Sequence, residues 1–157
     1  MARDPSTQRF AAQNRKARHD YLIEDTIEAG MMLTGSEVKT LRLGRASIVE
    51  AYAAEKNGEF FLINSFFPEY EGANQFNHAP RRARKLLMRK REIERLIGAT
   101  QRAGITVIPL SIYFNDRGRA KVELGLARGK RKADKRQAER DRDWQRSRAR
   151  IMRAHTD

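Results

Sequence analysis

Apolar and polar residues alternate along some stretches of this chain and recur at helical spacing in others. Tyr21, Ile23, Ile27 and Ala29 fall on odd positions, with Glu24, Glu28 and Gly30 on even ones. That period of two predicts a half-buried strand starting near Asp20. Gly30 and Gly35 bracket a bend. "SEVKTLRLG" then reads as a short helix, capped by Ser36, with Val38 and Leu41 three apart and Gly44 as its stop. Residues 48–55 and 60–66 are rich in strand formers and flank Asn57-Gly58, a dipeptide that favours a two-residue hairpin turn. Residues 68–85 have no period, and Pro68, Gly72, Asn74, Asn77 and Pro80 mark them as a long loop, a feature often functional in small domains. Residues 91–104 predict a helix, with Ile93, Leu96 and Ile97 on one side and Gly104 as the stop. A second long hairpin follows. Ile108, Leu110, Ile112 and Phe114 share one face, "NDRG" turns the chain, and Val122, Leu124 and Leu126 continue the apolar face. Pro109 has no N–H to give to a ladder and predicts an edge or a bulge.

Five or six strands and two helices, joined by turns, argue against a doubly wound α/β sheet. The fold class expected is mainly β with short helices, an OB-fold-like small β-barrel, a type that often binds oligonucleotides. Residues 1–13 are polar, contain Pro5 and read as a disordered N-terminal segment. Residues 14–129 make the barrel domain. Beyond Gly129 the larger apolar residues shrink to Trp144, Ile151 and Met152, in a stretch with good helix formers and no Gly or Pro. Such a tail, residues 130–157, cannot bury enough surface to fold alone. It is expected to be disordered until a polyanion neutralises its self-repulsion and lets it become helical.

Charge sharpens this division. The chain carries 33 basic and 20 acidic residues, a net charge of +13. Residues 1–129 hold 22 basic and 15 acidic side chains, while residues 130–153 hold 11 and 4. Each part is therefore at +7, but the second is only 24 residues long. A field of this sign and size points first to nucleic acid and second to an anionic membrane surface. With no cysteine, disulfide scaffolds and thiolate metal sites are excluded. "MARDPSTQRF" lacks the apolar core of a secretory signal, and no run approaches the roughly 20 apolar residues of a membrane span. A soluble, cytoplasmic protein without membrane contact is expected.

Enzyme chemistry finds little support. His19, His78 and His155 are scattered, without His-Glu-x-x-His spacing, and no Gly-x-Ser-x-Gly elbow occurs. "GLARGKR" has three residues where a phosphate loop needs four between its glycines, and Arg131 where Ser or Thr would bind magnesium. Asp20, Glu24 and Asp25 read as the wet face of a strand, and Glu28 as a base-edge acceptor or an arginine's partner. No metal or cofactor is expected. The basic clusters speak more clearly. "PRRARKLLMRKRE" gathers Arg81, Arg82, Arg84, Lys85, Arg89, Lys90 and Arg91 around Leu86 and Leu87, next to a loop with Asn74, Phe76, Asn77 and His78. Arginine and lysine offer phosphate contacts, and loop aromatics stack on unpaired bases, a mode favoured in RNA recognition. The residues alone indicate a nucleic-acid binder, with RNA as the target.

Five stretches carry a closer likeness: "NRKARHDY" (14–21), "EAGMMLTGSEVKTLRLGRASI" (28–48), "NHAPRRARKLLM" (77–88), "ARGKRKADKR" and "DWQRSRARIM". In this order they resemble the SsrA-binding protein (small protein B) family over roughly residues 10–153. The resemblance implies an OB-fold barrel that binds the tRNA-like domain of transfer-messenger RNA and delivers it to stalled ribosomes for trans-translation. It implies elongation factor Tu in the delivery complex, a monomer, and no reaction of the protein's own. Asn14, Glu28, Tyr52, Leu87 and Lys121 match family positions on the RNA-facing surface. Arg15, Arg18, Lys39 and Arg42 are weaker additions, joined by Asn77, His78, Arg82, Arg84, Lys85, Gly129, Lys130 and Arg131 from the matching stretches. Asp134, Lys135 and Arg136 match a tail motif used near the decoding centre, and Trp144, Ile151 and Met152 match tail positions in the empty message channel. Many members carry a histidine just before "DKR"; here the residue is Ala133, so Lys132 or Lys135 would have to supply that contact by charge. The alternative is a ribosomal or ribosome-assembly protein that grips ribosomal RNA through the same basic surfaces.

Overall fold

The computed structural model describes residues 10–73, 77–102, 104–129 and 132–154. In chain order the elements are β1 (Phe10–Gln13), α1 (Ala17–Asp20), β2 (Tyr21–Met31), α2 (Gly35–Arg42), β3 (Tyr52–Lys56), β4 (Glu59–Ile63), β5 (Arg84–Leu87), α3 (Lys90–Thr100), β6 (Ile105–Phe114), β7 (Ala120–Gly129) and α4 (Lys132–Ala154). All pairings are antiparallel, and the order β1-β6-β3-β4-β5-β2-β7 closes through an added β6–β7 pairing. Six strands thus make a barrel-like ring, with β1 attached outside it to β6. Its seams are uneven. β2–β7 pair along nearly their whole length, whereas β3 meets β6 through Ala53 and Val107 alone. Phe60, Phe67, Leu41, Ile48, Ile112 and Leu124 fill the interior.

Local chemistry explains most of these elements. Asn57 and Gly58 take positive φ, 55° and 81°, the pair of left-handed residues a tight primed hairpin turn needs. Helix α2 is capped by Thr34, one turn boundary earlier than Ser36. The Thr34 hydroxyl accepts from the Glu37 N–H, and the Thr34 N–H donates to Glu37 Oε1 at 2.9 Å, a reciprocal capping box. Gly44, at φ 71°, ends the helix as expected. Pro109 does mark a bulge: the β6–β7 register slips between Pro109 and Ser111.

That bulge corrects the sequence reading of β6. Ile108 and Leu110 do not share the face of Ile112 and Phe114. They join Ala17 and Ala127 in a small second cluster, while Ile112 sits in the main core with Phe114 packed against it. One extra residue reverses the alternation of a strand. Two further expectations fail. Phe10–Gln13, assigned to a disordered segment, pair with β6 because Ala12 is buried against the core; residues 1–9 lie outside the described residues. Residues 84–87, read as loop or basic run, form β5, whose Arg84 points inward where the pattern demands an apolar residue. In the tail, residues 132–154 form one helix, α4. It has no Gly or Pro, and Glu139 and Arg142, like Asp143 and Arg146, stand at helix-supporting spacing. His19 Nε2, 3.2 Å from Glu139 Oε1, links it to α1. No described helix is long and apolar enough to cross a membrane.

Candidate nucleic-acid interface

Strand register decides which of the expected residues meet. Across β7, Glu28 stands opposite Glu123 and Gly30 opposite Lys121. On the other side Gly30 pairs with Leu87 of β5. Along the β6–β7 hairpin, Lys121 pairs with Tyr113 and Glu123 with Ser111. Paired residues project to the same side of a sheet, so these positions form one continuous face. The core side of the same strands carries Ile27, Ala29, Val122 and Leu124. Gly30 makes room in the middle: a Cβ there would stand 3.3 Å from the Leu87 Cβ.

Two clefts open on this face. One, of about 310 Å³, lies beside β1 and is lined by Gln13, Asn14, Arg15, Arg18, Ser111 and Glu123, among others. The other lies at the β2–β5 side, between Glu28, Leu87, Arg89, Glu92 and Lys121. Ser111 and Glu123 border the first cleft, and Glu28 opposite Glu123 borders the second, so the two are neighbours on the face. Asn14 is buried at the first. Its N–H donates to the Leu110 carbonyl at 2.8 Å and its Nδ2 to the Pro109 carbonyl at 3.1 Å, across the bulge. Its Oδ1 is buried with no protein partner among the described residues. Such an acceptor is costly to leave unmet in a finished structure and suits a site completed by a ligand or water.

The family model described as SmpB protein matches residues 11–154. The chain belongs to the SmpB family. It is 60% identical to an SsrA-binding protein of Methylobacterium nodulans, with 98% of each chain covered. It is 59% identical to an SsrA-binding protein of Brucella anthropi, with 92% of each covered. A solved structure described as "tmRNA-SmpB: a journey to the center of the bacterial ribosome" resembles it with a TM-score of 0.66 at 49% identity, covering 82% of this chain and 93% of that one.

Of the residues expected at the interface in this SmpB family member, Asn14, Arg15, Arg18, Glu28, Leu87 and Lys121 come together on the two clefts. Lys39 and Arg42 lie next door on α2, exposed, the Lys39 ammonium 5.1 Å from the Tyr70 ring centre and the Arg42 guanidinium 4.4 Å from that of Phe114. Phe114 shares a third depression with Leu87 and Lys121, which extends the face toward α2. Tyr52 is exposed but stands elsewhere, in a groove on the β3–β4 hairpin with Phe61 and Ile63. Gly129 ends β7 opposite Tyr21. Lys130 and Arg131, like the loop residues Asn74 and Phe76 and the terminal His155, lie outside the described residues.

The 77–85 segment is corrected more sharply. Arg84 is wholly buried; its guanidinium donates to Glu37 Oε2, to the Ser65 hydroxyl at 3.0 Å and to the Arg82 carbonyl at 2.8 Å, and lies 4.0 Å from the Phe67 ring centre. No donor direction is left for a phosphate. Arg82, half-buried, also binds Glu37. His78 is buried between the Ser36 hydroxyl and the Phe67 carbonyl, at 2.9 and 2.8 Å. Asn77 exchanges both amide atoms with the backbone of Tyr70. Lys85 pairs with Glu59 at 2.9 Å. Arg84, His78 and Asn77 thus build the scaffold around the long loop, while Arg82 and Lys85 keep about a third of their side chains exposed beside it. Burial alone would push the Glu37 carboxyl up. Hydrogen bonds from Arg82 and the Thr34 N–H, with the charges of Arg84 and Arg82, more than offset it and hold the group below the usual carboxylate range.

The acidic strand face is also committed. Glu24 pairs with Arg128 at 3.2 Å and Arg102 at 3.5 Å, and Asp25 with Arg95. Sequence reasoning passed over Ser111, Tyr113, Glu123, Gln13 and Phe10. The signal for three of them was present: once "NDRG" is the turn, counting outward pairs Lys121 with Tyr113 and Glu123 with Ser111. In α4, Trp144 and Ile151 are both exposed and stand seven residues apart, which places them on one side of the helix, with Met152 next along the chain. Asp134, Lys135 and Arg136 fall in its first turns.

Proposed function

We propose that this chain binds the tRNA-like domain of transfer-messenger RNA through the continuous face on β1, β6, β7, β2 and β5, and carries that RNA to stalled ribosomes for trans-translation. The single observation that supports it best is the convergence of Asn14, Arg15, Arg18, Glu28, Leu87 and Lys121, distant in sequence, on two neighbouring clefts of one face. Arginine and lysine at the rim suit phosphates, Leu87 suits a base face, and Asn14 and Glu28 suit base edges or ribose hydroxyls. The protein acts by binding, as a monomer in the cytoplasm, with elongation factor Tu accompanying it in the delivery complex. Lys130 and Arg131 extend the RNA contact of the barrel domain, residues 14–129.

In the same reading the tail, residues 130–157, serves the ribosome. Asp134, Lys135 and Arg136 work at the decoding centre, with Lys132 or Lys135 in place of the ring that Ala133 lacks. Trp144, Ile151 and Met152 anchor the helix in the empty message channel, whose walls of ribosomal RNA attract its cations. A gel-shift titration of the full chain against the tRNA-like domain, with ordinary tRNA as competitor at near-physiological salt, tests the reading. Tight binding that excess tRNA does not remove is expected. Equal competition by tRNA would reduce the interaction to net charge and favour a general ribosomal-RNA binder.

A further inference from the structure

Glu28 is an odd residue for its place. It is exposed on a basic protein's candidate RNA face, yet it stands directly across from Glu123. Like charges opposite each other on neighbouring strands destabilise a sheet. Left alone, the Glu28 carboxylate would swing toward the lysine and arginine of its own cleft, Lys121 and Arg89, and be neutralised there. The structure gives it a different partner. Tyr113, on β6, is buried, and its hydroxyl donates to Glu28 Oε2. β7 lies between their two strands, so this bond reaches over it and ties β6 to β2 on the outer side of the ring. Glu28 Oε1 has no hydrogen-bond partner among the described residues.

We infer that Tyr113 is a positioning residue for RNA recognition: its hydroxyl fixes the Glu28 carboxylate beside Glu123, so that the free oxygen stays available to a donor on the RNA, a base amino group or a ribose hydroxyl. The arrangement also discriminates. Two adjacent carboxylates repel a phosphate, so the basic rim holds the RNA backbone while this spot accepts only a hydrogen-bond donor. Burial first, then the hydrogen bond and charge of Glu28 and the charge of Glu123, push the Tyr113 hydroxyl well above its ordinary value, so it remains a donor throughout the physiological range.

The inference rests on the proposed RNA partner, and its test keeps the two apart. Tyr113→Phe removes only the hydroxyl and retains the buried ring. In the full chain it should weaken binding to the tRNA-like domain by about fivefold to tenfold, the scale of one ordinary hydrogen bond. Glu28→Gln should weaken it as well, and the double variant should bind no worse than Glu28→Gln alone. Additive losses, or a Tyr113→Phe protein that binds like the parent, would overturn the inference. If the parent does not prefer this RNA over tRNA, the proposed function fails, and the free protein decides the Tyr113 link. There the side-chain carboxyl carbon resonance of Glu28 should move in Tyr113→Phe; an unmoved resonance rejects the link.

Discussion

The arginines of the 79–85 segment and those of α4 meet opposite surroundings. Arg84 has no exposed surface and donates to a carboxylate, a hydroxyl and backbone carbonyls. From Glu139 to Ile151 every side chain of α4 is exposed. Arg84 sits where loss of one partner strands a buried charge, and the α4 arginines from 140 to 150 where water and salt already screen each charge. The same residue type therefore stores its interaction energy inside the fold in one region and spends it on solvent in the other. What separates them is a single acid, Glu37, which comes from α2 and takes both Arg82 and Arg84.

The strongest way to break this contrast is to remove the tail. Deleting residues 130–157 should abolish tagging of nascent chains in a reconstituted trans-translation assay. Affinity for the tRNA-like domain should fall by no more than about tenfold, the share of Lys130 and Arg131. A hundredfold loss of affinity would put the tail's cations on the RNA-binding side of the division.

Next in size is the buried pair. Arg84→Met leaves Glu37 enclosed with fewer partners and should cost about 3–5 kcal/mol in urea unfolding. The pH profile sharpens it. Because the Glu37 carboxyl is held low in the folded protein, its contribution is present above the ordinary carboxylate range and is lost as pH falls through its depressed value. Acid should therefore narrow the gap between parent and variant; a gap independent of pH would show that Glu37 does not carry the charge assigned to it.

The smallest effect belongs to an exposed arginine of the tail. Arg140→Ala should leave the urea midpoint of the barrel unchanged. A measurable shift would mean that α4 supports the domain beyond its contact at His19 and Glu139.

How much of this could be read from the chain follows from the kind of signal each part sends. The Asn57-Gly58 hairpin, α3 and the β6–β7 hairpin rest on local rules, turn chemistry and periodicity, and their positions are close to those expected. β5 is invisible to the same rules because its inward position is filled by Arg84, which only Glu37, 47 residues away, makes tolerable. β1 is too short to show a period. In the site, family motifs supplied Asn14, Glu28, Leu87 and Lys121. Tyr113 and Glu123 needed the pairing counted outward from the "NDRG" turn, which runs unbroken as far as Ser111 and which the pattern along one strand alone does not show. The tail helix shows a different limit: its propensity is plain, but propensity does not say whether a helix without an apolar face persists unbound.

One pairing has a consequence for how the chain is made. Tyr21, the first residue of β2, pairs with Gly129, the last of β7, and the ladder between them is one of the two longest in the ring. The emerging polypeptide therefore holds β2 as an open, partly apolar edge for about a hundred residues of synthesis, roughly 5–20 s at bacterial and eukaryotic elongation speeds. Through that interval the nascent chain offers a template for wrong pairing with other chains. The ladder can close only after Gly129 has been added and has left the ribosome, so residues of the tail, which supply no strand to the ring, are already being added while β2 still waits.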